Sequence, residues 1–345
     1  MTAPVIPDRT RAAVLHAPFD LRVEDIPVVR PAPGEVLVAV EAVGVCGSDV
    51  HYFTDGRNGR NVLRAPMVLG HEAAGVVVEL GDDVDGPAVG TRVAVEPAVG
   101  CGTCPTCRSG AYHLCPAGTC LGSPPTHGAM SGYRVVPARA VHPLPDTLDT
   151  ETAALVEPLA VAVHAVRRAG VVTGHRVLVT GAGPIGVLVA QVARAAGAHD
   201  VVVTDVHDAR LDRAAALGAT AVVNTARDDL PAAAFDRLLE CSAVPAALWQ
   251  GMHALAPAGR ATVVGQAPPS VDGLPLALMQ RWEIDLNASF RSAHAFPTAV
   301  GLAAAGRVDL AGVLTGRFAL DEAPAALRAP GADPRHLKVV VRPGG

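Results

Sequence analysis

Two kinds of hydrophobic patterning divide the chain. From residue 11 to about residue 150, short strand-like runs (Glu35–Val40, Gly75–Glu79 and Arg92–Val95 among them) are separated by Pro-Gly, Gly-Asp and Asp-Gly turns. Runs of this length and spacing predict a β-rich domain, a small barrel or sandwich rather than a parallel sheet. From Arg176 onward, buried-type runs alternate with Ala- and Leu-rich helical stretches. The pattern predicts strands over Val177–Thr180, Val201–Thr204, Ala221–Val223, Asp236–Glu240, Ala261–Val264 and Ile284–Ser289. Helices are predicted over Ile185–Ala196, Ala209–Leu217 and Ala246–Leu255. Six strands joined by crossover helices make a doubly wound α/β sheet. Beyond Pro297 the pattern is mixed until Leu337–Val341. That last strand is expected to return to the first domain, because six strands already complete the sheet.

Composition narrows the class. The chain has 345 residues, half of them apolar, enough for two cores. Gly and Pro make up about 19%, below the ~25–30% of disordered low-complexity chains. A net charge of −5 leaves no electrostatic footprint for nucleic acid or anionic lipid. The longest uncharged apolar run, Val177–Ala193, holds three glycines, a proline and a glutamine, and stops short of the ~18–20 residues of a membrane span. Met1–Thr10 shows no apolar signal core, so a soluble, cytoplasmic protein is expected.

A glycine-rich turn follows the strongest strand. In Arg176-Val-Leu-Val-Thr-Gly181-Ala-Gly183-Pro-Ile-Gly186, a strand runs into G-x-G-x-x-G and then into a predicted helix. The next strand ends in Asp205, 19 residues past Gly186, as a dinucleotide-binding unit requires. Gly181 allows the tight turn, Gly183 a close approach of pyrophosphate, and Gly186 close helix–strand packing. The helix N-terminus offers N–H groups to the phosphates. Asp205 would accept hydrogen bonds from a ribose and repel a 2′-phosphate, favouring NAD over NADP, while Arg210 nearby keeps the second cofactor in view.

Seven cysteines, an odd number, do not suggest a disulfide framework. Cys101, Cys104, Cys107 and Cys115 fall within 15 residues, and four thiolates so close can hold a structural zinc. An iron–sulfur cluster ranks second, because the run lacks the usual gap before its Cys-Pro. A zinc ribbon for nucleic acid lacks the basic, aromatic surface it would need. Two further loops, one with Cys46, Ser48, Asp49, His51 and Tyr52, the other with His71 and Glu72, offer a second set of metal ligands and acid–base groups.

These motifs, taken in order, resemble the zinc-dependent medium-chain alcohol dehydrogenases over nearly the whole length. The resemblance rests on Gly44-Val-Cys46-Gly-Ser48-Asp49-Val-His51-Tyr52, Met67-Val-Leu-Gly-His71-Glu72, the four-cysteine loop, Glu157-Pro-Leu-Ala-Val-Ala-Val-His164 and Ser289-Phe290-Arg291. Glu157-Pro-Leu and Phe290-Arg291 look like the polyol branch, which includes sorbitol and xylitol dehydrogenases and L-idonate 5-dehydrogenases. The resemblance implies a GroES-like catalytic domain (1–157 and 297–345) and a Rossmann domain (158–296). It implies NAD and two zincs per chain, one catalytic and one structural. Cys46, His71 and Glu72 would hold the catalytic zinc, with Glu157 reaching the metal directly or through water and also facing substrate. Asp49 would orient His71, and Ser48 and His51 would relay the proton. Tyr52 and Arg291 would contact substrate hydroxyls. Ile185, Asp205, Arg210, Val264, Gly265, Ser289 and Phe290 would touch the dinucleotide. Oxidation of a polyol to its ketose is the implied reaction, with L-idonate-like sugar-acid oxidation or another zinc-dependent alcohol specificity as alternatives. A homodimer or homotetramer is implied as well. A non-catalytic NAD-binding relative would have lost these ligands, and all of them are present.

Overall fold

The computed structural model of the chain describes residues 6–344 except 267, 269 and 271. It divides into two compact units, Met1–Glu157 with Leu314–Gly345, and Pro158–Val313.

In the first unit, a seven-stranded sheet is built around Glu35–Gly44, a run rich in valine whose branched side chains suit a pleated, buried surface. Glu72–Leu80 pairs along one edge of this strand. Tyr133–Pro137 and Lys338–Arg342 share the other edge, so the C-terminal strand is in the first unit. Arg9–Ala17, Asp20–Pro27 and Met67–Val68 form a second, three-stranded sheet. The core includes Leu15, Val38, Val43, Met67, Val77, Val95 and Met130.

Register decides what this unit can do. Gly44 is paired with Glu72 on one side and with Val340 on the other. Cys46 follows the end of one strand, His71 precedes the start of the next, and Lys338 begins the third. Three segments remote in sequence therefore meet at one end of the sheet.

The second unit holds a parallel sheet in the order Ala221–Asn224, Asp200–Asp205, Arg176–Thr180, Phe235–Glu240, Leu255–Val263, Asp285–Ala288. Chain order reverses beside Arg176–Thr180, where ligands of open α/β sheets bind. All six predicted strands are present. The fifth is longer than its apolar run suggested, entering at Leu255 and passing an irregularity near Ala258, whose φ is 61°. This unit also extends past the expected limit near Pro297. Helices Phe296–Ala304 and Leu310–Val313 belong to it, because Arg167 donates to the His294 carbonyl and to Thr298, while Gln191 bonds with the backbone of Asp309. Among the described residues, no helix is long and apolar enough to cross a membrane.

Candidate active site

Cys46 caps the helix Gly47–Asp55, which carries Ser48, Asp49, His51 and Tyr52 on two turns. Potential ligand atoms of Cys46, His71 and Glu72 all lie within 4.8 Å of one another. Asp49 is fully buried beneath them. One of its oxygens accepts the Cys46 N–H at 3.0 Å and the other the Gly70 N–H at 3.1 Å. Its distance to the His71 ring nitrogen is 3.7 Å, too long for a direct hydrogen bond. The direct contact by which Asp49 would orient His71 is therefore replaced by a hydrogen bond from the neighbouring Gly70 N–H.

The electrostatics of the cluster favour a cation. Burial alone would lower the His71 pKa, but the Asp49 carboxylate and the Cys46 sulfur outweigh it and hold it well above its ordinary value. Glu157, buried on the first turn of Val156–Ala169, is pushed up by burial to about 7. Glu72 and Asp49 push it the same way, while His71 and Lys338 oppose them. Glu72 Oε2 is buried with no hydrogen-bond partner among the described residues. An orphaned carboxylate oxygen beside a thiol and an imidazole is what a zinc ligand set presents.

The other residues of the Cys46 helix have distinct settings. Ser48 is half-buried, whereas His51 is exposed and hydrogen-bonded to Asp55 at 3.2 Å. Tyr52 is buried, and its hydroxyl lacks a hydrogen-bond partner among the described residues, with Asn61 and Ser123 nearby. Arg291, in the second unit, places its guanidinium 4.9 Å from the centre of the Phe290 ring, and that ring is exposed.

The four-cysteine loop is equally specific. Cys101 and Cys107 sulfurs are 4.0 Å apart, and those of Cys104 and Cys115 3.8 Å apart. A zinc–sulfur tetrahedron with bonds of ~2.3 Å has edges of about 3.8 Å. The backbone N–H groups of Cys104, Cys107 and Cys101 point at Cys101, Cys104 and Cys115 sulfurs, each at 3.4 Å. Hydrogen bonds from Thr103 and the backbone bring the Cys101 thiol down to about 5, favouring the thiolate a metal needs.

In the second unit, the three glycines differ in what surrounds them. Gly181 adopts φ 87°, and a Cβ there would come within 2.8 Å of Ser242 Cα. At Gly186 a Cβ would lie 1.8 Å from the Gly181 carbonyl oxygen. A Cβ at Gly183 would meet nothing within 4 Å among the described residues, and Gly183 caps the helix Pro184–Ala195. Open space at a helix N-terminus is where a pyrophosphate fits. Asp205 accepts the Ala182 N–H at 2.9 Å and His207 Nδ1 and N–H at 2.9 and 3.0 Å. Arg210 comes within 4.0 Å of the same carboxylate. Ile185, Val264 and Gly265 are half-buried around this end of the sheet, and Ser289 donates its N–H to Val263.

Two residues of the metal cluster are not apparent from motif spacing. Lys338 reaches it from the C-terminal strand, and its sequence signal is that it is the single lysine of the chain, set inside an otherwise apolar run. Gly44 lies under Glu72, since a Cβ there would fall 2.1 Å from Oε2.

Two metal-ligand clusters in one unit and a dinucleotide turn in the other define a zinc- and nicotinamide-dependent dehydrogenase. Residues 32–146 match the alcohol dehydrogenase GroES-like domain and residues 184–305 the zinc-binding dehydrogenase domain. The chain belongs to the zinc-binding alcohol dehydrogenase family. It is 37% identical to the sorbitol dehydrogenase of Bacillus subtilis over 349 residues, covering 98% of each protein. L-idonate 5-dehydrogenase of Escherichia coli superposes with a TM-score of 0.92 at 30% identity, over 97% of this chain and 98% of that one. A zinc-binding dehydrogenase of Sinorhizobium meliloti, bound to NADP, gives 0.92 at 30% identity, over 98% and 100%.

Proposed function

We propose that this enzyme oxidises a secondary alcohol of a sorbitol- or xylitol-like polyol to the ketose, with NAD as the hydride acceptor. The observation that carries this reading is the cluster of half-buried Cys46 and His71 with buried Glu72, and Glu157 close by. The similarity to sorbitol dehydrogenase supports the substrate class. When bound, zinc supplies Lewis acidity to the alcohol oxygen and the nicotinamide takes the hydride.

The chain's own residues do the rest. Cys46, His71 and Glu72 hold the catalytic metal, and Glu157 supports it directly or through water while facing substrate. Ser48 collects the hydroxyl proton, and His51, three residues along the same helix and exposed, hands it to solvent. Tyr52 contacts a substrate hydroxyl. Gly181, Gly183 and Gly186 seat the pyrophosphate. Asp205 meets the adenosine ribose, Arg210 lies over the adenine, and Ile185, Val264, Gly265, Ser289 and Phe290 complete the dinucleotide contacts. Cys101, Cys104, Cys107 and Cys115 hold a structural zinc. We read the working assembly as a homodimer or homotetramer.

A second reading, oxidation of an L-idonate-like sugar acid, is favoured by Arg291, whose planar guanidinium suits a carboxylate. NADH formation at 340 nm across sorbitol, xylitol, galactitol and L-idonate, with zinc measured on the same sample, tests both. Turnover of a neutral polyol with about two zincs per chain supports the first reading, and preference for L-idonate supports the second. Inactivity of the zinc-loaded protein on all four substrates rejects both.

A further inference from the structure

Lys338 is 3% exposed, and burying an ammonium is costly unless it is paired. Here it is paired on two sides. Nζ donates to Glu72 Oε1 at 2.6 Å and to the Val45 carbonyl at 2.9 Å. Glu72 itself is 1% exposed, and its second oxygen lies over Gly44 without a partner among the described residues. The carboxylate is thereby gripped at one oxygen and offered at the other. Cys46 and Glu157 also lie close enough to act on its charge.

We propose that Lys338 is a positioning residue for the catalytic metal. It occupies Oε1 of Glu72, so that the carboxylate presents only Oε2 toward Cys46 and His71, and it supplies a counter-charge that lets Cys46, Glu72 and Glu157 share one buried site. The inference rests on the reading that this cluster holds zinc. It also gives the C-terminal strand a part in the site, because that strand carries the lysine to the Cys46 loop. Without the lysine, Glu72 could turn both oxygens to the metal or leave it, and either changes the coordination shell.

The test substitutes cobalt(II) for zinc in the wild-type protein and in Lys338→Met, Lys338→Arg and the double variant Lys338→Met/Glu72→Gln. The difference in visible spectrum against Cys46→Ser isolates the catalytic site from the four-cysteine site, and chelator competition gives metal affinity. Lys338→Met should weaken catalytic-site metal binding by ~10–100-fold and alter the cobalt d–d bands, while the four-cysteine metal is retained. Lys338→Arg should recover part of the affinity, and the double variant should bind more weakly than Lys338→Met, because it loses the Glu72 ligand itself. If Lys338→Met does not fold, Lys338→Arg carries the test through its shifted bands. Wild-type affinity and spectrum in Lys338→Met, or in Lys338→Arg where only that variant folds, overturn the proposal. A wild-type protein with no Cys46-dependent cobalt bands would instead overturn the zinc reading beneath it.

Discussion

The carboxylate of Asp49 accepts the backbone N–H of Gly70 at 3.1 Å, from a position with no solvent exposure. Its other oxygen takes the Cys46 N–H. One side chain thus binds together the two loops that carry the soft and the nitrogen ligands. Asp49→Ala strands two backbone donors and should destabilise the protein by about 2–4 kcal/mol. It should also loosen catalytic-site zinc by ~10–100-fold. Asp49→Asn keeps one acceptor and should lose less on both counts. Denaturant unfolding and chelator competition on the two variants check this, and an Ala variant with wild-type zinc affinity would contradict it.

For the four-cysteine loop, Cys104→Ser removes a sulfur 3.8 Å from that of Cys115. Metal analysis should drop from about two zincs per chain to about one. Melting temperature should fall, and dinucleotide binding by the second unit should persist. A variant still holding two zincs would mean that the loop is not a metal site.

The glycines of the turn separate binding from stability. Gly183 faces open space, so Gly183→Val should fold with nearly unchanged melting temperature and raise KM for NAD by ~10-fold or more. Gly186→Ala forces a methyl group into the Gly181 carbonyl and should cost about 1–3 kcal/mol of stability. Thermal melts paired with cofactor titration read both variants. Equal destabilisation by the two would reject the distinction.

Asp205 bears on cofactor choice. Asp205→Ala should lower the NAD/NADP ratio of kcat/KM by ~10–100-fold, the value of one charged hydrogen bond and its lost repulsion. Steady-state kinetics with both cofactors decide this.

Its titration has a defined sign. Burial would raise the Asp205 pKa, yet hydrogen bonds from His207 and Ala182, with Arg210 nearby, hold it below 3.8. A lowered folded pKa contributes stability that is fully present above 3.8 and is lost as pH falls through the folded value. Comparing wild type with Asp205→Asn, the stability gap should close at the acid end alone. A gap independent of pH would show that the carboxylate's charge is not what the turn uses.

Legibility followed distance along the chain. The glycine turn, Asp205 and the alternation of strand and helix were readable because each is a local pattern with its own period and turn chemistry. The four-cysteine loop was readable for the same reason, with all its sulfurs inside one short segment. Boundaries were less so. Helix Phe296–Ala304 carries no mark of its unit, and its place follows from Arg167 bonding to its first turn from more than 120 residues away. Likewise, the long strand Leu255–Val263 begins among Ala, Pro and Gly, and only its pairing with Phe235–Glu240 reveals it.

Residue types at the catalytic cluster were visible in the sequence, but their arrangement was not. The chain by itself determined that a thiol, an imidazole and a carboxylate stand in loops of a β-rich unit, and that a dinucleotide turn opens the parallel sheet. Tertiary structure alone decided that Glu72 shares one oxygen with Lys338, 266 residues away, and leaves the other without a partner among the described residues. The reason is register. Pairing Gly44 with both Glu72 and Val340 aligns three strand ends, and hydrophobic alternation within each strand carries no information about which residue of another strand will lie opposite.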